Sequence, residues 1–112
     1  MEIPFTLIDW SQLESIKKTG KTGNSIQHSV EYPGLRVRIV EYSSGYLSDH
    51  WCKKGHIVHC LEGGFESEME TGEKYQLSKG MTYIVSDKMS THRSNTEHGT
   101  KLLIIDGDFL KM

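Results

Sequence analysis

The run Phe65-Glu66-Ser67-Glu68-Met69-Glu70-Thr71-Gly72-Glu73-Lys74-Tyr75-Gln76-Leu77-Ser78 decides the fold class. Phe65, Ser67, Met69 and Thr71 alternate with Glu66, Glu68 and Glu70, the two-residue period of a strand with one wet, acidic face. Thr71-Gly72-Glu73 interrupts the alternation and Lys74 to Ser78 resumes it, so the stretch reads as a hairpin. The same pattern continues outward. Leu35, Val37 and Ile39 alternate with Arg36 and Arg38, which predicts a strand with one buried face and outward arginines. Gly80 precedes Met81 to Val85, rich in β-branched and aromatic residues, and Lys101 to Asp106 forms a last apolar strand ended by Gly107. One short helix is expected near the start, capped by Asp9 or Ser11 and running through Leu13 and Ile16 to Lys17 and Lys18. The eleven glycines fall between strand-like segments, and the expectation is an all-β sandwich or barrel with a short N-terminal helix.

A chain of 112 residues is read as one domain, 1–112, large enough to bury roughly two-thirds of its unfolded surface. Its 36% hydrophobic and 25% charged residues exclude a disordered chain. Lys and Arg number 13 against 15 Asp and Glu, a net charge of −2, which argues against a nucleic-acid partner. Two cysteines, Cys52 and Cys60, are too few for a disulfide scaffold, and the intervening turn sets Cys52 opposite residues near His56 rather than Cys60. The longest apolar run, Leu102 to Ile105, is strand-sized, so no membrane partner is expected. Met1 to Phe5 lacks the basic lead and apolar middle of a signal peptide, and the expectation is a soluble cytoplasmic protein. Gly20-Lys21-Thr22 echoes a phosphate-binding loop, but no glycine stands five residues earlier and no strand–loop–helix frame surrounds it.

Chemistry-bearing residues concentrate in one place. His50, Cys52, His56, His59 and Cys60 fall within eleven positions, and His92 follows after the next hairpin. If the first stretch is a strand, His50 and Cys52 share a side while Trp51 and Asp49 face away; Gly55 lets the chain fold back and brings His56 toward the same point. Thiolate and imidazole together suit a borderline-soft divalent metal better than Ca²⁺ or Mg²⁺. The plainer alternative is a packed core of hydrogen-bonded imidazoles and a buried free cysteine. His59 should face the opposite side from His56, Cys60 shares His56's parity and is placed to line a cavity, and His98 belongs to an exposed turn. Tyr42, Tyr46, Tyr83 and Met81 read as barrel core before pocket lining, and Arg93 should point away from His92.

His50-Trp51-Cys52-Lys53-Lys54-Gly55-His56, with Gly63 following after six intervening residues, resembles the first cupin motif in every spacing. Two ligand types differ: Cys52 stands at the second histidine position and His56 at the glutamate position. Leu61-Glu62-Gly63 is similar to the usual ending of that motif. Gly80, the strand Met81 to Val85, a turn through Ser86 to Thr91, then His92 and Asn95 resemble the second motif more loosely. There Ser86 and Lys88 replace the usual proline and glycine, and His92 arrives one residue late. The two motifs span roughly Gly45 to Asn95, and Asp49-His50-Trp51-Cys52 resembles small single-domain cupins named for an Asp/His/Cys/Trp motif.

The resemblance implies a double-stranded β-helix, or jelly roll, with a metal inside one end. Carried over by position, the ligands are His50, Cys52, His56 and His92, with neither Asp49 nor Glu62 as a carboxylate ligand. Such a donor set favours Zn²⁺, with Ni²⁺ and Fe²⁺ as the other candidates. The functional expectation is a metal-binding cupin that accepts a small molecule. The alternatives are a metal-dependent enzyme of dioxygenase, isomerase or lyase type, and a metal-free structural or ligand-binding domain. Family analogy also implies a homodimer, with Ile3 to Ile8 adding to a partner's sheet edge.

Overall fold

A computed structural model describes residues 2–111. Nine strands follow in order: β1 (Ile16–Thr19), β2 (Asn24–Tyr32), β3 (Leu35–Tyr42), β4 (Tyr46–Leu47), β5 (His56–Met69), β6 (Lys74–Ser78), β7 (Thr82–Val85), β8 (His92–Thr96) and β9 (Thr100–Gly107). All neighbours pair antiparallel. One sheet runs β1-β2-β3-β9-β5-β7 and the other β4-β8-β5-β6, so the long β5 belongs to both. It changes sheets at a bulge, where its register with β9 shifts between Cys60 and Glu62. Gly63 follows with φ 71°, its α-carbon so close to the Gly99 carbonyl that a side chain has no room. The fold is a jelly-roll barrel: all-β as the alternation anticipates, and a jelly roll as the motif resemblance implies.

The two sheets close on Val40, Val58, Cys60, Phe65, Leu77, Leu102 and Ile104. Phe65 and Leu77 sit opposite each other across the expected hairpin, with Gly72 at φ 102° in its turn. Cys60 is fully buried among these residues, its thiol beside the Glu62 and Gly63 carbonyls. It keeps the inward parity of His56 and Val58 but lies further along β5, among the core residues rather than on the cavity wall.

Two expectations change. The N-terminal helix is a single 3₁₀ turn, Trp10–Gln12, capped by the Asp9 side chain, which accepts from the Ser11 amide. Ile16 to Lys18, expected within that helix, instead lie in β1, which pairs with Asn24–Gln27. Gly23 at φ 68° provides the tight return, and two β-branched residues suit the strand. The second change is the polarity of β3. Arg36, Arg38, Val40 and Tyr42 face inward, while Leu35, Val37 and Ile39 lie on the outer face. Inward arginines are tolerated because Asp106, directly opposite Arg36 on β9, supplies a buried countercharge.

Candidate metal centre

Cys52, His56 and His92 come from three separate stretches and meet on the wall of one cavity. Cys52 and His92 form an isolated bridge in which each backbone amide donates to the other's carbonyl, at 2.7 and 2.9 Å. Directly opposed residues project to the same side, so the pairing itself brings Sγ toward the imidazole. His56 opens β5 in the facing sheet, after a close passage of Gly55 against Val85, Ser86 and Asp87. The Gly55 amide donates to Asp87 Oδ1 at 2.6 Å, which locks the chain between Cys52 and His56.

The donor atoms of the three residues lie within 4.8 Å of one another, and Cys52 Sγ is 3.7 Å from His56 Nε2. A tetrahedral ion with Zn–S near 2.3 Å and Zn–N near 2.0–2.1 Å would hold sulfur and nitrogen about 3.6 Å apart. Cys52 and His56 therefore stand at the spacing such an ion requires, with His92 within 4.8 Å of both. The groups behind them also fit. His56 Nδ1 lies 3.2 Å from Asp106 Oδ2; a carboxylate only accepts, so Nδ1 carries the proton and the Nε2 lone pair faces Cys52. His92 Nδ1 is 2.9 Å from Ser90 Oγ, which leaves Nε2 as its uncommitted nitrogen.

Electrostatics keeps the imidazoles neutral. Burial, aided by the positive charge of Arg38, lowers the His56 pKa to about 4 despite the opposing pull of Asp106. Burial lowers that of His92 as well. Asp106 is itself disfavoured as an anion by burial. Hydrogen bonds from Arg36 Nε and Nη2, at 3.2 and 3.0 Å, with the charges of Arg36 and Arg38, outweigh that and hold its pKa below the usual carboxylate range. Arg38 Nη2 donates to Asp106 at 3.2 Å, while Arg38 Nε is buried without an acceptor. Asp106 is the functional residue that sequence reading missed. Its only signal is parity, since it shares the inward side with Leu102 and Ile104 in an otherwise apolar strand.

His50, expected as a fourth ligand, is not brought into the group. Its side chain is 74% exposed at the cavity mouth, with Nδ1 2.7 Å from Asp49 Oδ1. Residues 48–51 form no strand, so the two-residue alternation that aligned His50 with Cys52 and turned Asp49 away does not operate. Trp51 lies out of the cavity beneath the Arg93 guanidinium, 4.3 Å from its ring centre, and Arg93 Nε also donates to Glu68 at 2.6 Å. His59 points to the other side as expected and meets Thr82 Oγ1 at 2.7 Å, and His98 is exposed.

A cavity of about 810 Å³ opens in front of the three donors, room for a drug-sized molecule. Tyr42, Tyr46 and Tyr83 line it, whereas Met81 is exposed elsewhere with its sulfur accepting from Ser78. Burial raises the pKa of Tyr42 and Tyr83 far above the usual phenol value, so both present neutral hydroxyls. Arg36 and Arg38, expected on the outer face, line the cavity too.

No protein-family model and no curated protein matches the sequence. Solved structures do. Ectoine synthase from P. lautus aligns with a TM-score of 0.75 over 96% of this chain and 80% of its own, at 18% identity. The polyketide cyclase RemF from Streptomyces resistomycificus aligns with a TM-score of 0.77 over 93% and 80%, at 11% identity. Rru_A2000 from Rhodospirillum rubrum, a cupin-2 domain, aligns with a TM-score of 0.73 over 96% and 78%, at 13% identity. Among the described residues no helix is long and apolar enough to cross a membrane. The jelly-roll topology and these likenesses agree: the chain has the fold of the small cupins.

Proposed function

We propose that this protein is a metal-binding cupin in which Cys52, His56 and His92 hold one divalent transition ion, zinc in preference to nickel or iron, and the cavity in front receives a small molecule. The observation that carries this is the convergence of three donor atoms within 4.8 Å, with Asp106 fixing the tautomer of His56. One thiolate and two neutral imidazoles would leave a bound divalent ion with a net charge of about +1. When bound, the ion would supply Lewis acidity, while the chain's own contribution is to orient the donors and present the Tyr42 and Tyr83 hydroxyls. Elemental analysis of protein purified without a histidine tag tests this, with about one equivalent of zinc expected. Persistent absence of metal, together with no uptake on titration, refutes it.

A catalytic reading is favoured by one specific observation. Three protein donors would leave a tetrahedral ion one further position, and the three residues line a roomy cavity. Ectoine synthase and a polyketide cyclase are among the proteins of similar fold, and their presence is compatible with turnover here while naming no reaction.

The homodimer belongs to the same proposal. Phe5 and Leu7 are 98% and 87% exposed, an apolar arm that suits the sheet of a second copy. Light scattering should give twice the chain mass, and removal of residues 3–8 should reduce it to one; a monomer in both cases removes the suggestion.

A further inference from the structure

The cavity wall is predominantly positive. Lys17, Lys18, Arg36, Arg38, Lys54 and Arg93 line it, against Asp49 as its one lining carboxylate among the described residues. Arg93 is engaged by Glu68 and Trp51, and Asp49 is hydrogen-bonded to His50, so those groups are already partnered. The charges of the rest are not balanced. Asp106 offers one negative charge to two guanidinium groups and leaves a buried Arg38 N–H without an acceptor. Lys17, Lys18 and Lys54 are exposed and form no ion pair among the described residues. The chain as a whole carries net −2, so this positive concentration is local to the cavity and not a consequence of bulk composition. A concave wall of mainly one sign focuses its field and raises the local concentration of the opposite charge.

We infer that the cavity takes a small oxyanion, a molecule bearing a carboxylate or phosphate group, with Arg36 and Arg38 at its floor and Lys17, Lys18 and Lys54 at its mouth. The inference rests on the proposed small-molecule cavity and adds the chemical class of its occupant. Guanidinium groups offer paired donors matched to carboxylate and phosphate oxygens, and the mobile lysines add attraction without fixed geometry. The anion would lie beside the three metal donors, which share the same cavity.

The test is calorimetric titration of zinc-loaded protein at fixed ionic strength with inorganic phosphate, with succinate and with uncharged succinamide, zinc content being assayed after each run. At least one anion should bind with 1:1 stoichiometry and about tenfold or more tighter than succinamide. Which anion binds distinguishes phosphate from carboxylate. Arg38→Gln should weaken it about tenfold; the exposed triple variant Lys17→Gln/Lys18→Gln/Lys54→Gln, which leaves the core untouched, should do so measurably and flatten the salt dependence. Equal or absent binding of all three probes overturns the inference, as does anion binding indifferent to both variants. Should the protein take up no zinc, the metal reading fails by itself. The same titration on metal-free protein then decides the anion inference, because the cationic wall does not depend on the ion.

Discussion

Acidifying the metal-free protein provides a direct measure of how His56 is held. Its pKa is lowered to about 4 in the folded chain and returns to about 6.5 when the chain unfolds. Between those values the unfolded state binds the extra proton, so stability falls as pH falls. The contribution is complete above about pH 6.5 and is lost progressively down to about pH 4, the reverse of a histidine stabilised by a carboxylate partner. A difference of about 2.5 units at 1.36 kcal/mol each corresponds to about 3 kcal/mol, a large part of a small domain's stability. His92, lowered by burial, acts in the same direction, and carboxylates such as Asp106 join below about pH 5. Urea unfolding of chelator-treated wild type and His56→Gln, from pH 7.5 to 4, separates these terms. The wild-type curve should fall more steeply, by about 3 kcal/mol in the difference between the two. Parallel curves would mean that His56 is solvated or protonated in the folded chain, and the electrostatic account of the site would be wrong.

Three further outcomes follow from the geometry. Gly55→Ala would place a methyl group 2.6 Å from the Val85 carbonyl oxygen and the Asp87 amide nitrogen; it should cost about 3 kcal/mol by chemical unfolding and weaken zinc uptake, since the same segment carries Cys52 and His56. Lys88 adopts φ 65° where the cupin motif has glycine, and Lys88→Gly should raise stability by about 0.5–1 kcal/mol in thermal unfolding, the relief of left-handed strain exceeding the added chain entropy. Asp106→Asn leaves Arg36 and Arg38 without their buried anion and should destabilise by about 3 kcal/mol, while reducing metal affinity through His56.

Period and punctuation made most of the fold legible. The hairpin around Gly72, the strand after Gly80 and the last strand before Gly107 all lie where alternation and turn residues put them. The direction of alternation in β3 was not legible, because period alone does not say which side is inside. Apolar Leu35, Val37 and Ile39 looked like the buried set, and only Asp106, 70 residues from Arg36, makes the arginine side the inner one. The cap at Asp9 was readable, but the helix was not sustained, since Ile16 to Thr19 gains more from pairing with β2 than from isolated helical turns.

At the site, motif spacing brought Cys52, His56 and His92 into one candidate set. His50 entered by the same spacing, yet its segment is a loop and its side chain turns to Asp49 and solvent. Asp106 escaped notice because a lone carboxylate at the end of an apolar strand carries no local pattern. Its role emerges only when β9 lies against β3 and beside His56.

Cobalt(II) titration of the chelator-treated protein is the most direct test of the three-donor centre. Saturation at one equivalent is predicted, with a near-ultraviolet thiolate-to-cobalt band that Cys52→Ser abolishes, weakened uptake in His56→Ala and His92→Ala, and no change in His50→Ala. Failure to bind cobalt, or a spectrum without a sulfur band that is indifferent to Cys52, would contradict the account.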